Sequence, residues 1–315
     1  MNAELTFLGT GTSQGVPMIG CGCEVCQSRD PRDKRLRASA LVKYCGMTIL
    51  IDAGPDFRQQ MLREGISHLD AILLTHNHKD HTGGLDDVRA FNYLEGLPAE
   101  IYCEKYVEES LRNEYSYAFA EKKYPGAPEW HIHLIDDKPF QIHPCDCRER
   151  LVWKSGNGYE RIIEDHPANE GMKPVDVIPI RGMHYKLPVL GYRFGNIAYC
   201  TDMNFIPEKE FEKLHGLDHF VINCVKKGRH ISHYSLEEAV EVARKVGARH
   251  SWLTHLSHQL PRFADLAEEL PGGPEAMSML ETGASADALP EGSILPAFDG
   301  LRIGFAPTIA ENQNK

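Results

Sequence analysis

Thr75-His76-Asn77-His78-Lys79-Asp80-His81 places three histidines and one carboxylate within seven residues, directly after the apolar run Ala71-Ile72-Leu73-Leu74. The apolar run reads as a short buried strand. Thr82-Gly83-Gly84 then lets the chain turn tightly before a helix expected to begin near Leu85-Asp86. Donor side chains on a loop that leaves a rigid strand are positioned before any ion arrives. Neutral imidazole suits zinc, iron and manganese, and a carboxylate adds the charge and hardness that a second ion at the same place requires. The order of donors therefore favours a metal loop over a solvated histidine-rich turn.

The segment His76-Asn77-His78-Lys79-Asp80-His81 resembles the His-x-His-x-Asp-His motif of the metallo-β-lactamase superfamily. That resemblance implies an α/β fold, a four-layer αββα sandwich, and further ligands in a set order along the chain. His184 follows the run 175–180, Asp202 follows Ile197-Ala198-Tyr199-Cys200-Thr201, and His255 follows Trp252-Leu253-Thr254. By the same resemblance His76, His78 and His184 hold one divalent ion, while Asp80, His81 and His255 hold the other. Asp202 bridges the two. Zinc or manganese is expected, and iron is accepted by the same donors.

Length and composition set the bounds around this loop. A chain of 315 residues, 42% hydrophobic, can bury a large core. Ligands running from His76 to His255 argue for a single domain over 1–315, because any cut between them splits the site. The net charge of −11 argues against a broad electrostatic footprint for nucleic acid or an anionic membrane. The opening Met1-Asn2-Ala3-Glu4-Leu5 lacks the basic head of a secretory signal, and no run reaches transmembrane length. A cytoplasmic protein with no membrane partner is expected. A homodimer is the commonest assembly should it oligomerise.

Nine cysteines are too few for a disulfide scaffold in a chain of this size, and an odd number cannot all pair within it. Cys21-Gly22-Cys23-Glu24-Val25-Cys26 gathers three thiols on a glycine-containing loop, which suits a tetrahedral ion with soft ligands. His258, in Thr254-His255-Leu256-Ser257-His258, is the candidate fourth ligand. This pairing of Cys-x-Cys-x-x-Cys with Thr-His-x-x-His resembles the PhnP-type phosphodiesterases, a branch that acts on a phosphoribosyl cyclic phosphate. The resemblance implies one structural zinc held by Cys21, Cys23, Cys26 and His258. Cys45, Cys103, Cys200 and Cys224 lie in apolar runs and read as small core residues, and Cys145 and Cys147 are unassigned.

Elsewhere, strands are expected over 4–8 and over 38–52, the latter a hairpin turning at Cys45-Gly46, with helices over 56–64, 86–92, 207–214 and 235–246. Ser235 and Glu238 form a Ser-x-x-Glu capping box. Gly9-Thr10-Gly11-Thr12-Ser13-Gln14-Gly15 lacks the lysine of a P-loop and reads as a turn near the metal site. Residues of about 104–172 depart from a compact version of the family and read as an insertion, whose His131, His133, His143 and His166 show no ligand spacing. The tail from Pro261 reads as a Pro- and Gly-rich segment followed by a closing strand over 300–305 and frayed last residues.

The resemblance implies a dinuclear hydrolase in which a hydroxide shared by the ions attacks a small phosphodiester, such as a cyclic phosphate or nucleotide ester, with Asp80 at the catalytic centre. His233-Tyr234-Ser235 is similar to the His-x-Ser/Thr element of the phosphodiesterase and ribonuclease Z branches, which makes His233 the expected proton donor and His230 its competitor. A tRNA 3′-end endonuclease like ribonuclease Z is the alternative enzyme, although no Lys/Arg-rich docking arm is evident. A non-catalytic metal-stabilised binding protein is the alternative of another class, and the complete ligand set argues against it.

Overall fold

The computed structural model describes residues 3–144, 148–154, 158–164 and 172–306. Cys145, Cys147, His166 and the end of the chain expected to fray lie outside them. The strands in chain order are β1 (Ala3–Gly9), β2 (Ser39–Tyr44), β3 (Met47–Ile51), β4 (Ala71–Leu73), β5 (Ala99–Cys103), β6 (Trp130–Leu134), β7 (Phe140–Ile142), β8 (Arg148–Lys154), β9 (Gly158–Glu164), β10 (Val175–His184), β11 (Leu187–Phe194), β12 (Ile197–Cys200), β13 (His219–Asn223), β14 (His250–Thr254), β15 (Ser293–Pro296) and β16 (Arg302–Phe305). One seven-stranded sheet runs β16-β1-β2-β3-β4-β5-β6, a second runs β15-β14-β13-β12-β11-β10-β7, and β8 pairs with β9 apart from both.

Each sheet is antiparallel in one half and parallel in the other. β1, β2 and β3 pair antiparallel, whereas β3 to β6 pair parallel. In the second sheet β10, β11 and β12 are antiparallel and β12 to β15 parallel. Parallel neighbours require crossovers, and helices supply them. Phe57–Glu64 joins β3 to β4, Lys105–Glu114 lies between β5 and β6, Leu236–Val246 joins β13 to β14, and Phe263–Glu269 with Gly273–Glu281 joins β14 to β15.

The strand alternation explains the four layers. Successive side chains point to opposite faces, so a strand buried on both sides reads as an unbroken apolar run. Ile49 and Ile51 join the core between the sheets while Leu50 faces the helices of its own side. Val221 and Trp252 enter the same central core, and Ile222 and Leu253 pack under the helices of the second sheet. The result is the expected αββα sandwich.

Several boundaries differ from the sequence reading. The insertion expected over about 104–172 is shorter than that span, because β6 completes the first sheet and β7 forms an edge of the second. Among the described strands, the β8 and β9 hairpin alone stands outside both sheets. The metal loop contains a helical turn, Lys79–Thr82, and the helix expected at Asp86 opens as a 3₁₀ turn, Leu85–Val88, before Arg89–Glu95. The segment read as Pro- and Gly-rich carries two helices and strand β15. Among the described residues, no helix is long and apolar enough to cross a membrane.

The Leu236–Val246 helix starts as its sequence predicts: Ser235 Oγ accepts from the Glu238 N–H at 3.2 Å, and Glu238 Oε2 accepts from the Ser235 N–H at 2.9 Å. Replacing Ser235 with Ala is expected to cost about 1 kcal/mol of unfolding free energy. A urea titration that shows the same midpoint for both proteins rejects this cap as a contributor.

Candidate active site

The chain ends of β3, β4, β10, β12 and β14 converge on one edge of the sandwich. This is where ligands collect in open sheets with parallel strands. β4 delivers Thr75 and His76, β10 ends on His184, and β12 and β14 lead directly into Asp202 and His255. The His76 ring centroid lies 4.6 Å from that of His78 and 5.7 Å from that of His184, and His78 lies 5.0 Å from His184. Beside this triad, donor atoms of Asp80, His81, Asp202 and His255 all lie within 4.8 Å of one another. Asp202 presents Oδ2 to His81 Nε2 at 3.1 Å and Oδ1 to His255 Nε2 at 3.1 Å. His76, His81, Asp202 and His255 are buried, whereas His78 is exposed and marks the mouth.

The sequence reading missed Asp52, the residue beneath this cluster. Its fully buried carboxylate accepts from the Thr75 N–H and hydroxyl, each at 2.8 Å, and lies 2.7 Å from His81 Nδ1. Thr75 Oγ1 is in turn 2.9 Å from His76 Nδ1. His184 Nδ1 lies 2.8 Å from the Ser232 carbonyl, and the Thr201 hydroxyl donates to Asp202 Oδ2 at 2.7 Å. These contacts fix ring orientation and leave the opposite nitrogens free for the centre. Asp52, Asp202 and His255 all sit at left-handed φ, +63°, +57° and +56°. Such backbone conformations cluster at functional sites and persist where the surroundings over-determine them.

The site's charges are balanced by protons. Full burial holds His76 well below its usual pKa, reinforced by the charge on His81. Burial opposes charging of His81 too, but Asp202, Asp80 and Asp52 together hold it well above the usual range. His255 likewise overcomes burial beside Asp202 and Asp80 and is raised to about 9. Burial pushes Asp202 upward, yet charged His255 and His81 hold it well below an ordinary carboxylate. Even so, His76 Nε2, His81 Nε2 and both nitrogens of His255 make no hydrogen bond despite burial. Orphaned buried donors and acceptors cost roughly 1–3 kcal/mol each, and nitrogens converging on carboxylates without hydrogen-bond geometry are what divalent cations satisfy. The donor set fits a metal pair.

The sequence pattern of the beta-lactamase superfamily domain matches residues 47–256. The chain belongs to the beta-lactamase superfamily. It is 34% identical to a solved diphosphatase from the PhnP family, with a TM-score of 0.75 over 97% of this chain and 98% of that one. It is 39% identical over 268 residues to an octanoyltransferase of Porphyromonas gingivalis, covering 84% of this chain and 48% of that protein. The chain thus spans about half the length of that curated relative. The short form of human tRNase Z shares the fold, with 17% identity and a TM-score of 0.58 over 97% of this chain and 100% of that one.

A second group of donors, Cys21, Cys23, Cys26 and His258, lies outside the matched region, with donor atoms within 4.8 Å of one another. Cys21 Sγ and Cys23 Sγ lie 3.3 and 3.5 Å from His258 Nδ1. A backbone N–H from Cys26 and the His258 ring lower the Cys23 thiol to about 6, while burial raises Cys26 to about 11. His131 and His133, which show no ligand spacing in the sequence, flank Glu100 Oε2 at 2.9 and 2.5 Å on the far edge strand. His143 is exposed. His233 stands between His184 and His255, its ring centroid 4.5 Å from the first and 4.7 Å from the second. His230 lies one ring further out, 5.1 Å from His233.

Two outcomes are expected. Asp52→Asn keeps the side chain's size but loses the charge that orients His81, and metal affinity should fall about 10- to 100-fold; competition with a chromophoric chelator measures it, and unchanged affinity removes Asp52 from the site. The raised pKa of His255 stabilises the metal-free protein fully below about 6.5, and that contribution is lost as pH rises through about 9. The metal-free melting temperature should fall across that window, whereas metal, which competes with the same protons, binds more tightly as pH rises. Parallel melting curves with and without metal contradict the assignment.

Proposed function

We propose that this metal-dependent hydrolase is a phosphodiesterase acting on a small substrate, a cyclic phosphate or nucleotide-type ester. The observation that carries the reading is His233, set between the two groups of metal donors with its buried Nδ1 free of hydrogen bonds and 3.8 Å from Asp202 Oδ1. A lactone or β-lactam would draw on the same imidazole, and the likeness to a PhnP-family diphosphatase is what favours phosphorus. Ester cleavage at phosphorus leaves an alkoxide, and the alkoxide needs a proton.

His76, His78 and His184 would hold one divalent ion, Asp80, His81 and His255 the second, with Asp202 between them. Bound together, such ions polarise a phosphoryl group and make water nucleophilic at neutral pH. The chain's own residues do the rest. Asp52 and Thr75 keep His81 and His76 in one orientation, and the Ser232 carbonyl does the same for His184. Burial depresses His233, so the ring is neutral in the metal-free protein. A phosphate anion bound beside it would favour its protonation. With Nδ1 turned to Asp202, Nε2 is the atom that delivers the proton to the leaving oxygen. His230 is less suited, because its Nδ1 already accepts from the Ser232 N–H at 3.3 Å.

The PhnP-family neighbour is described as a diphosphatase, which favours a second reading: the scissile bond is a P–O–P anhydride. Both reactions use the same centre and differ in the leaving oxygen. A net charge of −11 argues against a polyanion such as tRNA. His233→Ala is expected to cut turnover of a small phosphodiester by roughly 10²–10⁴-fold with metal content unchanged. A panel of a 1,2-cyclic phosphoribose, a 2′,3′-cyclic nucleotide, a dinucleotide, a diphosphate ester and a precursor tRNA tests the substrate class. Wild-type turnover retained by the variant rejects the proton donor, and cleavage of the tRNA alone rejects the small-substrate reading.

A further inference from the structure

Beside the metal donors lies a cleft of about 500 Å³ lined by Tyr185, Asn204, Arg229, His230, Ile231 and Glu238. Small-molecule sites occupy about 300–1,000 Å³, and this cleft falls within that range. Two loops form its walls: the turn from β10 to β11, which begins at His184, and the segment from Arg229 to His233. Asn204 fastens them together. Its Oδ1 accepts from the Tyr185 N–H at 2.8 Å, and its Nδ2 donates to the Ile231 carbonyl at 3.1 Å.

Tyr185 is held at φ +58°, a strained conformation for a bulky residue, yet the residue is 53% exposed. Ile231 is 67% exposed. Core packing therefore does not account for either, and the strain presents an aromatic face one residue after a metal donor. The charges nearby run against the acidity of the whole chain. Lys186 Nζ lies 5.3 Å from the Tyr185 ring centroid, and Arg229 is exposed and forms no ion pair among the described residues. The Glu238 carboxylate is engaged by the Ser235 N–H. With Nδ1 accepting from Ser232, the neutral His230 ring carries its proton on Nε2, where it donates to an anion.

We propose that this cleft is the specificity subsite for a nucleotide-type substrate, with Tyr185 stacking on a planar base and Arg229 and His230 binding a second, non-scissile phosphate. The subsite extends the phosphodiesterase reading, since its occupant is one half of the ester whose phosphorus reaches His233. Asn204 is its positioning residue. Bases stack on aromatic side chains without demanding one sequence, so a purine and a pyrimidine are both accepted.

Calorimetry on the metal-loaded protein separates the base from the phosphate by comparing AMP with ribose 5-phosphate. Tyr185→Asn removes the ring while supplying a residue that adopts left-handed φ readily. AMP should bind wild type roughly tenfold more tightly than ribose 5-phosphate, and the variant should lose that margin. Arg229→Met should raise KM for the 5′-phosphorylated dinucleotide pApA about tenfold more than for bis-p-nitrophenyl phosphate, which has no second phosphate, with kcat for pApA retained. Equal binding of AMP and ribose 5-phosphate by wild type, or a margin unchanged in Tyr185→Asn, overturns the subsite. The binding arm decides it whether or not the wild type turns over an ester, so failure of the phosphodiesterase reading is a separate result.

Discussion

The carboxylate of Asp52 holds the histidine-rich edge of the sandwich together. Placed at the end of β3, it receives the Thr75 N–H, the Thr75 hydroxyl and the His81 ring, all inside the protein. One acid thereby joins two strand ends and fixes His81 directly and His76 through Thr75. The joining works only because the backbones stack without side chains between them. A Cβ on Gly54 would lie 2.0 Å from the Asp80 carbonyl oxygen, and one on Gly84 would lie 2.1 Å from that of Gly54. Any side chain at either position drives the 80–84 segment outward and takes Asp80 and His81 with it. The Gly83-Gly84 pair after the histidine loop is therefore as much a part of the donor geometry as the histidines.

How much of this is legible in the chain depends on whether the signal is local. The histidine loop packs its donors into a few residues, and the sandwich follows from its resemblance to a known family. The capping box at Ser235 is equally local. Asp52 is different, since an aspartate after an apolar strand also suits a turn, and its partners Thr75 and His81 come more than twenty residues later. β6 is a different case, because its signal is local: Trp130-His131-Ile132-His133-Leu134 alternates apolar and polar residues as a half-buried strand does, with the histidines facing Glu100, and reading the whole span as an insertion passed over it. In the tail, Gly272-Gly273-Pro274 looks like a breaker, but glycine at the N-cap and proline in the first turn start the Gly273–Glu281 helix.

The cysteine loop matters to this edge through the backbone that follows β14. His255 is held at left-handed φ, and the next three residues are each pinned to the N-terminal region of the chain. The Leu256 N–H donates to the Thr10 carbonyl at 2.7 Å. The Ser257 carbonyl accepts from buried Arg35 at 3.5 Å, and Arg35 is paired with buried Asp33 at 2.9 Å. His258 meets Cys21 and Cys23. Strain at His255 survives only where its neighbours cannot relax, and these pins remove that freedom. An ion among Cys21, Cys23, Cys26 and His258 would add to this restraint by fixing the residue three positions after His255. The buried Arg35 and Asp33 pair already supplies some of that restraint, so loss of the cysteine site should loosen His255 without unfolding the sheet beneath it.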